Sequence, residues 1–468
     1  MQEIHRFPND PIMDGGTLRW RFDDLLQNIL RGLGEGSSRA RAAGSPAQTL
    51  GIDTWGVDYG LLNANGDLIE TPVHYRDART NDMMEKVFRE EVPADEIFAE
   101  TGIQFMQLNT IFQLVAARRA DSAKLSGAHR LLLMGDLFHH ALSGAVRAEF
   151  TNATTTQLCN PRTRDWAWPL IERLQLPRHL FAPIAEPGTR LGPLRQEIAD
   201  CTRLHGTELI AVGTHDTASA VAAVPATGPD FAYISCGTWS LIGTEVREPV
   251  INSEARALNF TNEGGVFGTF RLLKNVMGLW LLQESERQWE RDGQAHTWDQ
   301  LIALAEGATP LVSLINPDES IYFPPGDMPG RIRARCAETG QPPPADHGAI
   351  ARCILESLAL AFRDRLRSLE KLCGRKLSVL HIVGGGARNR LLCQFTADAC
   401  GVPVHAGPVE ATALGNIGMQ LAASGRISGL EELRATIARS EQPTIYSPRP
   451  TPAWEDAERR FAALTQSR

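Results

Sequence analysis

The chain has 468 residues, enough for two or three domains, and its 43% hydrophobic and 22% charged residues are typical of a soluble globular protein. A net charge of −8, without a block of Lys or Arg, argues against nucleic acid as a partner. Because the longest apolar runs are far too short for a membrane span and the first residues contain no apolar signal-peptide region, we expect a cytoplasmic protein with no membrane partner.

The N-terminal part of the chain predicts a strand, a long helix and a hairpin. Residues 1–8 look strand-like from the first residue. We expect the following amphipathic helix to end at the glycines of 34–36, because apolar residues recur before them at helical spacing: Phe22, Leu25, Leu26, Ile29, Leu30 and Leu33. Residues 49–57 are typical of a strand, and residues 61–69 predict a hairpin that turns at 65–66.

The middle of the chain contains a strand-to-helix transition and a second hairpin. Residues 208–212 predict a strand that leads through 213–216 (GTHD) into a helix of small residues. Residues 231–246 are typical of a β-hairpin that bends at 236–238. We place a domain boundary between this helix and the hairpin, at residues 222–230.

The second half of the chain alternates strands and helices. Strands are predicted at 377–383 and 402–405, a glycine-rich loop at 384–389, and helices at 390–400 and about 411–423. The first of these helices should turn four residues inward: Leu391, Leu392, Phe395 and Ala399. This alternation predicts an α/β protein with mixed or parallel sheets and helices on their faces.

Eight cysteines are scattered along the chain without a C-x-x-C pair or a histidine at ligand spacing. We therefore expect free, buried thiols and no zinc site. They are Cys159, Cys201, Cys236, Cys336, Cys353, Cys373, Cys393 and Cys400.

Asp216 is a candidate general base. It follows a predicted strand and a glycine and stands at the start of a helix, and ligand sites in α/β sheets lie at the carboxyl ends of strands. A carboxylate at this position is able to accept the proton of an attacking hydroxyl group. The alternative is a helix N-cap, which is the more common role for an isolated Asp in this setting.

Two glycine-containing segments are candidate phosphate or nucleotide contacts. Residues 235–240 (SCGTWS) offer backbone N–H groups and hydroxyls to a phosphate, although a plain hairpin turn explains the same string. In residues 383–389 (VGGGARN), three glycines remove every Cβ where a base or phosphate would press on the backbone. A dinucleotide-binding interpretation of that second segment is disfavoured, because Asn389 stands where the third glycine belongs.

Aromatic side chains stand next to Asp and Arg in two segments, 54–58 (TWGVD) and 74–80 (HYRDART). Flat apolar faces and polar groups able to make paired hydrogen bonds are what a sugar pocket requires. A salt-bridge cluster between domains would have the same composition, so these residues alone leave both possibilities open.

The order of these strings resembles that in the FGGY family of carbohydrate kinases, from about residue 3 to the C-terminal region. Long strings such as 272–283 (LLKNVMGLWLLQ) and 151–158 (TNATTTQL) resemble the branch of that family that phosphorylates L-rhamnulose. The other similar segments are 51–58 (GIDTWGVD), 75–80 (YRDART), 235–241 (SCGTWSL), 261–265 (TNEGG), 381–386 (HIVGGG) and 406–418 (AGPVEATALGNIG).

The resemblance implies a two-domain sugar kinase/actin-type ATPase fold of ribonuclease H-like domains with a cleft between them. We expect a sugar-binding domain at 1–222, a nucleotide-binding domain at 223–440 and a tail at 441–468, in a monomer.

The implied reaction is Mg²⁺-dependent transfer of the ATP γ-phosphate to O1 of L-rhamnulose, in rhamnose catabolism. Asp216 resembles the general base of the family. The resemblance implies sugar contacts by Gly56, His215, Asp216, Thr217 and Asn275, and ATP contacts by Thr238, Gln283 and Gly385. The alternatives are a kinase for a related ketose such as L-fuculose, and an inactive sugar-binding relative.

The sequence departs from the family at its beginning. Family members start with a β-hairpin whose Asp-x-Gly-x-Ser-Ser-Gly-Arg-like loop holds phosphates, and no such string occurs in this sequence. Residues 1–7 resemble a family segment about thirty residues into the chain. We therefore expect the natural protein to be longer, and the chain as printed to be unstable and nearly inactive.

Overall fold

The computed structural model describes residues 1–449 and 451–466, and the chain divides into two compact units. Unit 1 combines three segments, Met1–Ala222, Val246–Arg271 and Thr412–Leu433. Unit 2 combines Ala223–Glu245, Leu272–Ala411 and the described residues that follow Leu433. Both units are therefore assembled from segments that are far apart in the sequence.

Regular elements up to residue 222 alternate short strands with helices. In chain order they are β1 (Ile12–Asp14), β2 (Thr17–Arg19), α1 (Phe22–Ala42), β3 (Thr49–Gly51), β4 (Tyr59–Leu62), α2 (Met83–Glu90), α3 (Ala94–Thr101), α4 (Thr110–Ala120), α5 (Ser122–Gly127), β5 (Arg130–Leu133), α6 (Met134–Ser143), β6 (Ala148–Glu149), α7 (Phe150–Ala153), β7 (Cys159–Asn160), β8 (Asp165–Trp166), α8 (Trp168–Arg173), β9 (Ile184–Ala185), β10 (Thr189–Pro193), α9 (Gln196–Thr202), β11 (Glu208–Ala211) and α10 (Asp216–Ala222).

The longest strands and the longest helix of the described chain lie after residue 222. In order they are β12 (Phe231–Cys236), β13 (Trp239–Val246), α11 (Ser253–Ala257), β14 (Thr261–Gly264), β15 (Phe270–Met277), α12 (Trp280–Arg291), α13 (Trp298–Gly307), α14 (Met328–Glu338), α15 (His347–Cys373), β16 (Val379–Val383), α16 (Arg390–Cys400), β17 (Val404–Ala406), α17 (Ala411–Ala423), α18 (Leu430–Ser440), β18 (Thr444–Tyr446) and α19 (Pro452–Gln466). Short 3-10 turns occupy Ala78–Thr80, Thr154–Thr156, Arg178–Leu180, Ser320–Tyr322 and Gly385–Arg388.

A three-stranded sheet in unit 1, in the order β10–β11–β3, positions the site described below. β11 runs parallel to β3 with Glu208 opposite Thr49, so the two strands end side by side. β10 pairs antiparallel with β11 on the other side. The segments that leave β3 and β11 consequently start at the same edge of the sheet.

Unit 2 is built around the strands β15–β13–β12–β16–β17–β18, in that order. β12 pairs antiparallel with β13 and parallel with β16, where Phe231 lies opposite Val379. β12 and β16 are apolar and almost wholly buried, as expected for strands that are covered on both faces. The long helix α15 buries most of its side chains, so it belongs to the same core.

Several predicted elements are confirmed. The hairpin at 231–246 is β12 and β13, and helices α16 and α17 begin and end where the apolar periodicity placed them. The residues expected to turn inward on α16 are all buried: Leu391, Leu392, Phe395 and Ala399.

Two predictions about the first 42 residues are wrong. Residues 1–8 form no strand, and the first strand is Ile12–Asp14. Helix α1 continues through Gly34 and Gly36 to Ala42, because the buried Ser37 hydroxyl donates to the carbonyl of Arg203 and holds the last turns in place.

The predicted strand at 49–57 is regular only at Thr49–Gly51, since its continuation leaves the sheet to form a loop. The predicted hairpin at 61–69 keeps its turn, where the Asn63 side chain accepts from the Asp67 N–H group, but its second strand is only an isolated bridge between Leu62 and Leu68. β4 pairs with the more distant β5 instead.

All eight cysteines are free, as predicted, but their burial is not uniform. The prediction of burial is wrong for Cys201, which is exposed, while Cys373 and Cys400 are half-buried. The predicted tail at 441–468 includes Pro450, Ser467 and Arg468, which lie outside the described residues. No helix in the described ranges combines the length and the apolar composition that spanning a membrane requires.

Candidate active site

The loops that follow β3 and β11 are joined by backbone hydrogen bonds. The Thr54 N–H donates to the carbonyl of Thr214, and the Asp216 N–H donates to the carbonyl of Thr54, both at 2.8 Å. These two bonds extend the parallel pairing of β3 and β11 beyond the regular strands. The segment 54–56 and the turn 213–217 are therefore held together at the carboxyl edge of the sheet.

The buried carboxylate of Glu149 holds the turn 213–217 in place. Glu149 Oε2 accepts from the Thr214 N–H at 3.0 Å and from the Thr214 hydroxyl at 2.6 Å, and it also accepts from the Thr151 hydroxyl at 2.5 Å. The His215 N–H in turn donates to Thr151 Oγ1. Burial raises the pKa of Glu149, while these hydrogen bonds oppose the rise. The polar string at 151–158 thus supports the turn that carries His215 and Asp216.

Asp216 is the first residue of α10, and about half of its side-chain surface is exposed. Its carboxylate accepts a hydrogen bond from Thr217 Oγ1 at 3.1 Å. Within the described part of the chain no backbone N–H donates to this carboxylate, so it is not engaged as a helix cap. An exposed, ionisable carboxylate on a rigid turn has the form expected of a general base.

His215 contacts a buried ion pair that the sequence did not indicate. Arg271 Nη2 lies 3.1 Å from both His215 Nδ1 and Glu263 Oε2, and the Arg271 side chain is fully buried. Burial raises the pKa of Glu263, but the charge of Arg271 and hydrogen bonding outweigh it and lower the pKa below its usual value. His215 Nε2 faces Asp216 Oδ1 at 3.6 Å.

Asp53 is a second carboxylate near Asp216 that sequence reasoning missed. It accepts from Asn416 Nδ2 at 2.5 Å, and this asparagine belongs to α17. Burial raises the pKa of Asp53 to about 7; the Asn416 hydrogen bond opposes this rise, and the negative charge of Asp216 adds to it. The position of Asp53 two residues after β3 was the only signal in the sequence.

Gly56 belongs to a tightly held loop. A Cβ at Gly56 would lie 3.0 Å from Thr155 Oγ1, so a side chain there would push on the 151–158 segment. The next residue, Val57, has a φ of +67°, which is unusual for a β-branched residue. The Val57 carbonyl accepts from the Thr110 hydroxyl and its N–H donates to Thr155 Oγ1. These contacts hold the strained conformation, as is common at functional sites.

The aromatic residues expected in a sugar pocket converge on buried Asp58. Its carboxylate accepts from the indole N–H groups of Trp20 at 2.6 Å and Trp55 at 3.0 Å. Burial raises the pKa of Asp58 to about 6, against the effect of these hydrogen bonds. The Trp20 ring lies 4.1 Å from the ring of Trp55 and 4.2 Å from that of His74. The orientation of Trp55 is thus set by a tilted contact with the Trp20 ring and by the hydrogen bond to the Asp58 carboxylate.

In unit 2, two of the expected ATP contacts meet directly. The Thr238 hydroxyl donates to Gln283 Oε1 at 3.1 Å. The bend between β12 and β13 also accepts backbone hydrogen bonds from the start of α12, because the N–H groups of Gly278 and Trp280 donate to the Thr238 carbonyl. A Cβ on Gly278 would lie 2.6 Å from the backbone of Trp239, so this approach requires a glycine.

The other two expected residues of unit 2 lie on separate elements. Gly385 begins the 3-10 turn after β16, and a Cβ placed on it would meet no atom within 4 Å. The neighbouring Gly386 packs on Cys236, where a Cβ would come within 2.2 Å of Sγ. The glycine loop therefore lies against the end of β12. Asn275 is on β15 and is half-buried.

Within the described ranges no group of three or more His, Cys, Asp or Glu side chains is arranged to hold a metal ion. In unit 1, two segments joined at one sheet edge carry Gly56, His215, Asp216 and Thr217. In unit 2, Thr238 and Gln283 are joined by a hydrogen bond.

The fold is that of the two-domain sugar kinases. A ligand-bound xylulose kinase from Lactobacillus acidophilus superimposes with a TM-score of 0.79 at 16% identity, covering 98% of this chain and 91% of that one. A glycerol kinase from Plasmodium falciparum, solved with ADP, superimposes with a TM-score of 0.77 at 12% identity, covering 98% and 92%. The fold class predicted from the sequence is confirmed.

The chain belongs to the FGGY family of carbohydrate kinases, whose N-terminal domain matches residues 6–223 and whose C-terminal domain matches residues 232–424. It is 43% identical to a rhamnulokinase of Bacteroides thetaiotaomicron over 457 residues, 98% of this chain and 92% of that protein. It is 41% identical to a rhamnulokinase of Pectobacterium atrosepticum, over 100% of this chain and 91% of that protein. The resemblance to this family is confirmed.

Proposed function

We propose that the protein transfers the γ-phosphoryl group of ATP to O1 of L-rhamnulose, giving L-rhamnulose 1-phosphate and ADP. The observation that carries the proposal is the half-exposed Asp216 carboxylate, which backbone hydrogen bonds hold at the carboxyl edge of the β3–β11 pair. The relatives named rhamnulokinase, 40–43% identical over nearly the whole chain, support the choice of sugar.

In this proposal Asp216 accepts the proton of the O1 hydroxyl as that oxygen attacks the γ-phosphorus. His215 and Thr217 contact the sugar from either side of Asp216, and Gly56 lines the pocket where a side chain would press on Thr155. Phosphoryl transfer depends mainly on positioning and on charge stabilisation, so one rigidly held carboxylate is sufficient as the base.

We assign the nucleotide to the second domain, 223–440, and the sugar to the first, 1–222. Thr238 and Gln283 contact ATP as a hydrogen-bonded pair, and Gly385 approaches it through an open backbone face. Asn275, on β15, is the sugar contact that we assign to the second domain.

Mg²⁺ accompanies ATP in this proposal and, when bound, neutralises charge on the phosphates. The Asp53 carboxyl is one ligand that would fit such an ion, because Mg²⁺ prefers carboxylate oxygens. Burial raises the pKa of the Asp53 carboxyl, and the negative charge of Asp216 adds to this rise. A cation at this position would relieve that repulsion.

The test is ADP release from the full chain with ATP and Mg²⁺, coupled to NADH oxidation, with L-rhamnulose and L-fuculose compared at equal concentrations. We expect kcat/KM to be higher with L-rhamnulose by at least about tenfold. Equal or greater turnover with L-fuculose would replace the substrate assignment. Sugar binding by calorimetry without any ADP release would instead identify a sugar-binding relative.

A further inference from the structure

Arg271 is the most deeply buried cation of the described part of unit 1 that contacts a proposed substrate residue. Its side chain is 0% exposed, and its Nε donates to the Gly264 carbonyl at 2.8 Å. Its Nη2 reaches both His215 Nδ1 and Glu263 Oε2 at 3.1 Å. Burying a guanidinium is costly unless it is paired and hydrogen-bonded, so this arrangement requires Glu263 as the counter-ion.

The hydrogen-bond geometry decides which ring nitrogen of His215 carries the proton. A guanidinium only donates, and Arg271 points an N–H at His215 Nδ1, so Nδ1 must accept. Glu263 Oε2 lies 3.2 Å from the same nitrogen, but a ring nitrogen that accepts the Arg271 N–H carries no proton of its own to donate to Glu263. The proton of the neutral imidazole therefore resides on Nε2.

We propose that Arg271 and Glu263 are positioning residues that hold His215 as the Nε2–H tautomer, so that the imidazole donates a hydrogen bond to the sugar beside the Asp216 carboxylate. The proposal rests on the assignment of His215 and Asp216 to the sugar site. It adds two residues that do not touch the substrate and act through His215.

The tautomer of His215 determines which hydrogen bonds the ring and the neighbouring Asp216 carboxylate together offer to a sugar. His215 Nε2 is 3.6 Å from Asp216 Oδ1, too far for a direct hydrogen bond, so neither atom is occupied by the other. With the proton on Nε2, the turn presents one donor and one acceptor side by side, which matches a sugar hydroxyl or carbonyl next to the attacking hydroxyl. With the proton on Nδ1, it would present two acceptors, and the imidazole would compete with Asp216 for the hydroxyl proton.

His215 lies between two opposite charges, because the Arg271 guanidinium and the Glu263 carboxylate both approach Nδ1. The charge of Arg271 contributes to the low pKa of Glu263, which keeps that carboxyl ionised and keeps the pair neutral overall. Without Arg271, Glu263 would favour a proton on Nδ1, because Nδ1–H could then donate a hydrogen bond to its carboxylate at 3.2 Å, and the ring would adopt the opposite tautomer.

The first experiment reads the tautomer directly by two-bond ¹H–¹⁵N correlation spectra of the full chain labelled with ¹⁵N-histidine. The sequence contains 12 histidines, and the His215→Asn variant assigns the signal. We expect the Nε2–H pattern in the wild-type protein. The Nδ1–H pattern there would overturn the proposal, whatever the kinetics show and even if the variants described next fail to fold.

The second experiment measures steady-state kinetics of Arg271→Met and Arg271→Lys. We expect Arg271→Met to show the Nδ1–H pattern and to raise the KM for L-rhamnulose about tenfold, the loss expected for one hydrogen bond, with the KM for ATP unchanged. Arg271→Lys should restore part of this loss. An unchanged tautomer and an unchanged sugar KM in Arg271→Met would contradict the proposal.

Arg352→Met is the matched control for the removal of a buried arginine. Arg352 likewise donates to a carboxylate, that of Glu356 at 2.7 Å, and to a backbone carbonyl, that of Ala305 at 3.0 Å. This substitution should leave the His215 spectrum and the sugar KM unchanged. Failure of the proposed function would be seen separately, as absent ADP release from the wild-type protein, whereas the tautomer is read without substrate.

Discussion

A β-carbon added to Gly415 would lie 1.8 Å from the carbonyl oxygen of Ser219, so helices α17 and α10 of unit 1 touch through backbone alone. The same approach brings Asn416 to the carboxylate of Asp53, and Thr412 Oγ1 lies 3.4 Å from the Asp216 carbonyl. The glycine in the string GNIG is thus a requirement of packing next to the proposed site.

The close approach of α17 predicts that Gly415→Ala destabilises the protein strongly. The added methyl group would meet a carbonyl oxygen that cannot rotate away, and overpacking of this kind costs roughly 3 kcal/mol. The urea concentration at the midpoint of unfolding should be lower for Gly415→Ala than for the wild-type protein. A midpoint equal to that of the wild-type protein would mean that α17 is free to shift away from α10.

Gly34→Ala is the opposite case and serves as a control for Gly415→Ala. Gly34 lies inside α1, and a Cβ placed on it would meet no atom within 4 Å. Alanine favours a helix interior by about 1 kcal/mol over glycine, so we expect a higher urea midpoint. A lower midpoint would contradict the uninterrupted course of α1.

The strained conformation of Val57 predicts that the usual stability order of glycine and alanine variants is inverted at this position. At most positions a glycine variant is less stable than an alanine variant, but a φ of +67° suits glycine and strains any other residue. We therefore expect Val57→Gly to be more stable than Val57→Ala by about 1 kcal/mol, although both lose the same side chain. Thermal unfolding of the two variants side by side measures this difference, and the usual order would disprove the strain.

Asp216→Asn should lower kcat by about 10²-fold or more while sugar binding is retained, if Asp216 is the general base. The amide has nearly the same shape but does not accept the hydroxyl proton. ADP release gives kcat, and calorimetry with the sugar alone gives the binding constant. Unchanged turnover would return Asp216 to a merely structural role at the start of α10.

Asp58 predicts a pH dependence of stability. Its pKa is about 6 in the folded protein, against an ordinary value of 3.8, so the folded state binds more protons than the unfolded state between these values. The stabilisation by the protonated form is complete below about pH 4 and is lost as the pH rises through 6.

The Asp58→Asn variant lacks this titration. Between pH 4.5 and 6.5, its free energy of unfolding should therefore fall less steeply than that of the wild-type protein. The two slopes should differ by up to roughly 1.4 kcal/mol per pH unit, as measured by urea unfolding. Asp10→Asn, which changes an exposed carboxylate, is the control and should follow the wild-type curve. Parallel curves for Asp58→Asn and the wild-type protein would show that Asp58 is ionised throughout this range.

Periodicity predicted the elements in which local preference and tertiary packing agree. Helix α16 has an apolar face and begins at Arg390, just after Asn389, whose side chain caps it, so its limits follow from neighbouring residues alone. At Gly34, local preference favoured an end to α1, while packing of the following turn, through Ser37, continued it. Local pattern is a poor guide wherever a distant contact decides the outcome.

The proposed site likewise combines residues that local sequence predicts with residues that only tertiary contacts reveal. Asp216 was predicted from its place after a strand and a glycine, which is local information. The contacts of Glu263 and Arg271 with His215 were not predicted, because these residues lie 48 or more positions away in the sequence and no spacing rule connects them. Asn416 is still further from Asp53, and only the folded chain shows that the two side chains meet.

The division of unit 1 into three segments has a consequence for the order of synthesis. On the ribosome, the first 222 residues emerge long before Thr412–Leu433, the segment that completes this unit. Until then the backbone of Ser219 lacks its Gly415 contact, and the Asp53 carboxyl lacks the amide of Asn416. A nascent chain therefore cannot finish its proposed sugar-binding half until nearly all of the message has been translated.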